Sequence, residues 1–182
     1  MGRSMSIASI AAWLAACSST PVTPPSDAGA DAVDAPSAPE WRAVVEKLDG
    51  ALLSMWGTSA SDVYAVGGPL GNSGFETLVL HFDGGKWKRL KPGHSDTYWW
   101  VHGTSATDVW MVGEKGRITH WDGAGLKDYP GATTATLFGV WAASPTDAWA
   151  VGGAGEAAGL PNDVLLHWDG ASWKSEIGRA HV

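Results

Sequence analysis

Three histidines, His81, His120 and His167, are each followed by an aromatic residue, Asp and Gly, as His81-Phe82-Asp83-Gly84, His120-Trp121-Asp122-Gly123 and His167-Trp168-Asp169-Gly170. A second carboxylate series, Asp62, Asp108 and Asp147, runs in step with them. Imidazole and carboxylate are metal ligands, so a three-His centre or a set of calcium sites is the first chemistry to weigh. Recurrence argues against both. Each His occupies the same place in its repeat, which puts the three in separate structural units, and no loop has the dense alternating acids of a calcium loop. The histidines are read as hydrogen-bonded structural groups. Asp62, Asp108 and Asp147 are read as turn residues that accept backbone N–H groups. No metal and no cofactor is expected.

Catalytic groupings are equally sparse. No Gly-x-Ser-x-Gly elbow, phosphate loop or zinc-binding helix motif is present, and Ser144-Pro145 and Thr58-Ser59 fit turns. Because a catalytic centre is asymmetric, residues that recur in every repeat are poor candidates, and none is nominated as catalytic.

Cys17 is the only cysteine, which excludes an intrachain disulfide and a cysteine metal cage. Before it stand Arg3, an apolar run from Met5 to Trp13, and Leu14-Ala15-Ala16-Cys17. The run is too short to span a membrane as a mature helix. This arrangement resembles a bacterial lipoprotein signal, whose lipobox reads Leu, small, small, Cys. The resemblance implies that Cys17 is lipidated on its thiol, with cleavage before it and acylation of the new amino terminus. Durable anchoring needs more than one chain, since each buried methylene contributes about 0.8 kcal/mol. Ser18 and Ser19 favour the outer over the inner membrane by the sorting rule of some Gram-negative bacteria.

The elements that position these residues follow from a second repeated signature. It reads Trp56-Gly57-Thr58-Ser59-Ala60-Ser61-Asp62-Val63-Tyr64-Ala65-Val66-Gly67, and returns from Trp100 to Gly113 and from Trp141 to Gly152. Alternating strand-like runs separated by turn signals, with no useful helical period, indicate an all-β domain. The first repeat predicts strands over Leu52–Trp56, Val63–Val66, Leu78–Phe82 and Lys86–Leu90. The second predicts Tyr98–Val101, Val109–Val112, Arg117–Trp121 and Leu126–Asp128, and the third Leu137–Trp141, Ala148–Val151, Val164–Trp168 and Ser172–Ser175. Each Asp-Gly makes the hairpin turn between third and fourth strands, with Gly at positive φ.

Four antiparallel strands in a unit of about 40–50 residues match a β-propeller blade. From Trp41 to Lys174 the chain resembles the broad class of WD-repeat, kelch and related bacterial propellers. Neither the usual order of Gly-His and Trp-Asp nor the full kelch double-Gly pattern is present, so no subfamily is implied. The expected architecture is about three blades in an incomplete ring, after a disordered N-terminal tether.

Twelve Trp against three Phe and three Tyr recur at matched places. Trp56, Trp100 and Trp141 on first strands, with Trp110, Trp149, Trp121 and Trp168 further out, are expected to interleave between blades, and sugar stacking on exposed rings is the functional alternative. The net charge of −7 argues against nucleic acid as a partner.

The domain reading is therefore a lipoprotein signal peptide over 1–16, lipidated Cys17 and a disordered Pro/Ala/Asp-rich linker over 17–39, a partial propeller over 40–176, and a non-native tail over 177–182. Trp41-Arg42-Ala43-Val44 reads as a fourth strand without the three before it, while the last blade has its own fourth strand at Trp173. The chain is accordingly expected to be the first part of a longer ring.

The functional expectation is a lipid-anchored, extracytoplasmic propeller that acts as a protein- or glycan-binding or scaffold module. Its partners would be the membrane, through the N-terminal lipid, and a protein or glycan ligand. The loops over 68–75 and 153–162, with the blade links over 92–97 and 129–136, share one face and form the expected ligand surface. The alternative is the N-terminal part of a propeller enzyme acting on glycans, with its active groups in further blades.

Overall fold

Twelve strands and a single 3-10 turn make up the described part of the chain, residues 40–69, 76–130, 132–154 and 163–177 of a computed structural model. No α-helix occurs among these residues, and none is long and apolar enough to cross a membrane. Ala43–Val182 forms one compact unit; of the unit before it, Met1–Arg42, only residues 40–42 are described. Trp41–Val44 carries no strand. An isolated segment of strand-like composition has no ladder to complete, and pairing rather than propensity decides its state.

The first sheet contains β1 (Gly50–Ser59), β2 (Asp62–Pro69), β3 (Leu78–Phe82) and β4 (Trp87–Leu90). The second contains β5 (Tyr98–Ser105), β6 (Asp108–Gly113), β7 (Ile118–Trp121) and β8 (Leu126–Tyr129), with the 3-10 turn Glu114–Gly116 joining β6 to β7. The third contains β9 (Thr136–Ser144), β10 (Asp147–Gly153), β11 (Val164–Trp168) and β12 (Trp173–Ser175). Each is antiparallel and in sequence order. These are three propeller blades, and they form no closed ring.

The tight turns are fixed by side chains. Ser59, Ser105 and Ser144 accept the N–H two residues on, from Ser61, Thr107 and Thr146, and so close the β1–β2, β5–β6 and β9–β10 turns. The hydroxyl leaves the aspartate that follows free for other work. At the third-to-fourth-strand turns Asp83, Asp122 and Asp169 each take two backbone N–H groups, and Gly84, Gly123 and Gly170 adopt φ of 86°, 89° and 90°.

Blade packing follows from the period-2 alternation of strands. Cross-strand partners Trp56–Tyr64–His81, His102–Trp110–His120 and Trp141–Trp149–His167 share one face of their blades, together with Val66, Val112 and Val151. This leading face points toward the next blade. The opposite, trailing face carries Met55–Ala65–Leu80, Val101–Met111–Thr119 and Val140–Ala150–Leu166.

Tyr64, Val66 and Val79 of the first blade bury themselves against Tyr98, Val101, Val109 and Met111 of the second. Trp110, Val112 and Ile118 of the second do the same against Leu137, Val140, Ala148, Ala150, Leu166 and Trp168 of the third. The first strands lie side by side, β5 packing on β1 and β9 on β5, so they form the inner edge from which the blades radiate.

Size complementarity sets the spacing along that edge. Trp56 lies over Gly103, where an added Cβ would meet its ring. In the next blade His102 occupies the Trp56 position and its Nδ1 accepts the N–H of Ala142 at 3.1 Å. A large residue on a leading face thus meets a small one on the following trailing face.

Candidate functional site

The recurring histidines and aspartates are partners of one another. His81 Nε2 lies 2.8 Å from Asp62 Oδ1, His120 Nε2 2.6 Å from Asp108, and His167 Nε2 2.9 Å from Asp147, always within one blade. An aspartate acceptor there places the imidazole proton on Nε2. The second carboxylate oxygen takes the hydroxyl of Thr58 in the first blade and of Thr104 in the second. Burial would raise the Asp62 carboxyl, but the bonds from Thr58 and His81 hold it below its ordinary value.

A ring seals each pair. Tyr64 and Trp149 stack on their histidines with centroids 4.2 and 4.1 Å apart, and Trp110 lies tilted over His120 at 4.3 Å. Burial, and then the Asp62 charge, push the Tyr64 phenol up to about 12, and its hydroxyl donates across the blade boundary to Ala106 O. Asp62 does take a backbone N–H, from Thr58, but the main partner of each aspartate is the histidine rather than the turn that the sequence led one to expect. The aspartates begin the second strand and face the sheet, because the serine three residues earlier already satisfies the turn. In the first two blades this arrangement ties the first, second and third strands together. Among the described residues no group of three or more His, Cys, Asp or Glu converges as a metal site would require.

The third copy is weaker. Ala143 replaces the threonine, so Asp147 Oδ1 takes Trp149 Nε1 at 3.1 Å instead, and its side chain is markedly more exposed than Asp62 or Asp108.

A second polar cluster breaks the repeat and was not foreseen. Asp96, in the link between β4 and β5, is buried and accepts Lys115 Nζ and Arg117 Nη2, both at 2.6 Å. Burial would raise its carboxyl, but these two cations outweigh that and hold it below the ordinary range. Arg117 also reaches Asp128 at 2.8 Å.

Beside it runs a directed chain. The Asp96 N–H donates to His94 Nδ1 at 3.2 Å, leaving the proton on Nε2, which reaches Tyr98 Oη at 3.0 Å. Tyr98 donates to Thr119, and Thr119 to Asp128 at 2.6 Å. Burial, reinforced by Arg117, lowers the His94 imidazole, and burial raises the Tyr98 phenol. Every member is satisfied by another, and Thr77 of the first blade joins through Asp96 O at 2.5 Å. The cluster is a clasp holding the link to both blades.

The exposed features lie on the inner strands. Each inner strand leaves two residues unpaired at matched places: Thr58, Thr104 and Ala143 beside the turn, and further back Leu53 between Leu52 and Ser54, Trp99 between Tyr98 and Trp100, and Phe138 between Leu137 and Gly139. The second set makes three equivalent β-bulges, which re-aim the side chain they carry. All three bulged residues are large, apolar and exposed, and Trp99 meets Phe138 edge to face with centroids 5.7 Å apart. A glycine stands opposite each bulge: an added Cβ at Gly67, Gly113 or Gly152 would overlap the carbonyl oxygen of Ala51, Thr97 or Thr136. The Val-Gly pair of the repeat is thus the signature of the bulge, a signal present in the sequence but unread there.

The bulges sit near the end where β2 runs out and β5 and β9 begin, the face assigned to ligand from the sequence. Of that face, the links over 91–97 and most of 130–135 are described; residues 70–75 and 155–162 lie outside the described residues. So do Cys17, the linker over 17–39 and the last five residues.

Trp100 and Trp141 depart from the interleaving expected of them, being 47% and 54% exposed. With His102, Gly139, Trp149 and Val151 they line an apolar depression that spans β5 of the second blade and the leading face of the third. Trp141 is open because it stands on the leading face of a blade with no successor among the described residues.

The chain matches no protein-family model and no curated sequence.

Proposed function

We propose that the protein is a lipid-anchored, extracytoplasmic propeller whose inner face binds a protein or glycan ligand. The observation that carries this reading is the row of bulges presenting Leu53, Trp99 and Phe138 outward. Large apolar side chains on solvent-facing backbone irregularities contribute little to folding, and bulges are concentrated at sites of recognition. The polar clasp at Asp96 fixes the adjacent link, so the surface is held in shape before a ligand arrives. Aromatic faces suit both an apolar side chain and the apolar face of a sugar ring.

In this reading Cys17 carries the lipid that holds the domain at the membrane, with the outer membrane favoured by Ser18 and Ser19. The tether over 18–39 lets the propeller stand off the bilayer.

Trp fluorescence titration against an oligosaccharide panel and candidate envelope proteins tests the binding role. Trp99→Ala combined with Phe138→Ala should weaken binding at least about tenfold with little change in unfolding midpoint. A ligand bound equally well by this double variant would remove the inner face from consideration. Metabolic acyl labelling, abolished by Cys17→Ser, tests the anchor.

A further inference from the structure

We infer that the outer edge of the first blade is a docking surface for an anionic lipid bilayer. This rests on the membrane location in the reading above and is independent of the ligand face.

β4 and the residue on either side of it read Lys86-Trp87-Lys88-Arg89-Leu90-Lys91, so four of the chain's 12 Lys and Arg fall within six residues. The repeat does not require this. The equivalent stretches of the other blades, Gly125 to Pro130 and Ser172 to Ile177, hold one cation and one carboxylate each. Lysine on a sheet edge ordinarily guards against pairing with another chain. That role accounts for the lysine common to the three outer strands, Lys88, Lys127 and Lys174, which stand opposite His81, His120 and His167. It leaves Lys86, Arg89 and Lys91 unexplained.

The four differ in what already holds them. Arg89 donates to both carboxylate oxygens of Asp49, at 2.9 and 3.0 Å, and to Glu76 O at 3.1 Å. Lys88 lies 2.7 Å from Asp83 and is half-exposed. Lys86 and Lys91 are exposed, and neither pairs with a carboxylate among the described residues. The second blade has a blade on each side, yet Lys127 and Pro130, the equivalents of Lys88 and Lys91, are exposed. These positions therefore look out from the rim whatever lies next to the first blade.

The chemistry of the free groups selects the partner. The guanidinium, whose planar fork suits one bound phosphate, is committed to Asp49, and the groups left are lysines, hydrated point charges that suit a dense field of phosphates. An entering protein strand would strip water from these ammonium groups, whereas a headgroup layer leaves them hydrated. Screening over about 8 Å at physiological ionic strength hides the net charge of −7 from the bilayer, so the local charge of this edge decides. β1 lies at the opposite edge of the same sheet, so docking through β4 turns the bulge at Leu53 away from the lipid.

The test is co-sedimentation of the full chain carrying Cys17→Ser with phosphatidylglycerol vesicles and with phosphatidylcholine vesicles. The neutral vesicles read what the apolar N-terminal run contributes. A gain on the anionic ones, reversed by high salt, is expected. Lys86→Gln combined with Lys91→Gln should cut that gain at least about tenfold, since one lysine near such a surface counts for roughly fivefold. Lys127→Gln combined with Lys174→Gln removes the same charge from the other two rims and should cut it less than about twofold. Near-ultraviolet circular dichroism reports whether each variant keeps its packed aromatic core.

A gain that is absent, or lost equally in the two double variants, overturns the inference. So does binding of soluble poly-glutamate that needs Lys86 and Lys91 while the vesicles show no gain, the result expected of an acidic protein partner. Acyl labelling at Cys17 is a separate readout, so a lipidated chain without the gain refutes the docking edge and leaves the anchor standing.

Discussion

His120 Nε2 lies 2.6 Å from Asp108 Oδ1, and the same distance recurs to within a few tenths of an ångström in the other two blades. The pair links the second strand of a blade to the third beneath the tilted Trp110 indole. Replacing His120 with Ala leaves a buried carboxylate bonded only through Thr104. A loss of about 2 kcal/mol is expected, against less than about 1 kcal/mol for His167→Ala, where Asp147 is more exposed and lacks the threonine. Urea unfolding of the two variants measures the difference, and equal losses would contradict the ranking.

The tryptophans divide into two energetic classes. Trp110 is 1% exposed, packed between Trp168, Trp173 and Tyr129. Trp110→Ala should lower stability by about 3–5 kcal/mol. Trp100→Ala should change it by no more than about 0.5–1 kcal/mol in the isolated chain. Thermal melts of both variants distinguish them.

The close approach opposite the bulge predicts a sharp position effect for one methyl group. Gly113→Ala sets a Cβ against the Thr97 carbonyl and should destabilise by about 2 kcal/mol. Gly125→Ala, where nothing lies within 4 Å, should be within about 0.5 kcal/mol of the parent. Chemical denaturation at one pH reads both.

Stability should fall on mild acidification. Burial depresses the His94 and His102 imidazoles below the ordinary 6.5, so the unfolded chain binds more protons than the folded one just under that value. The contribution is complete above pH 6.5 and declines as pH drops toward the folded values. Asp62 and Asp96 act lower down: their stabilisation is present above the ordinary 3.8 and is lost as pH falls through their depressed folded values. A urea midpoint that stayed flat or rose from pH 7.5 to 5.5 would disprove the histidine part, and His94→Gln should flatten the slope.

Local signals made the strands legible. All twelve appear where alternation and the repeat place them, with the inner strands running further into their turns than expected, to Ser59, Ser105 and Ser144. The Asp-Gly turns were equally readable, because Gly84 and its equivalents must take positive φ. Long-range features were not. Asp96 and Arg117 are joined only once β5, β6 and β7 are folded, and nothing in their spacing announces the pairing. The role of Asp108 was misplaced because a turn aspartate and a sheet-facing aspartate look alike until Ser105 is seen to hold the turn. Exposure of Trp100 and Trp141 was missed because the extra residues in the inner strands interrupt the alternation at places marked only by the unread Val-Gly pair, and because the third blade has no successor among the described residues.

The bulges have one more implication. Leu53, Trp99 and Phe138 pair with no residue across the ladder, and already three different side chains hold the same position without altering the strands around them. Identity there is uncoupled from the fold. Successive blades can therefore diversify what their inner strands present, one residue at a time, while the glycine opposite keeps the scaffold constant.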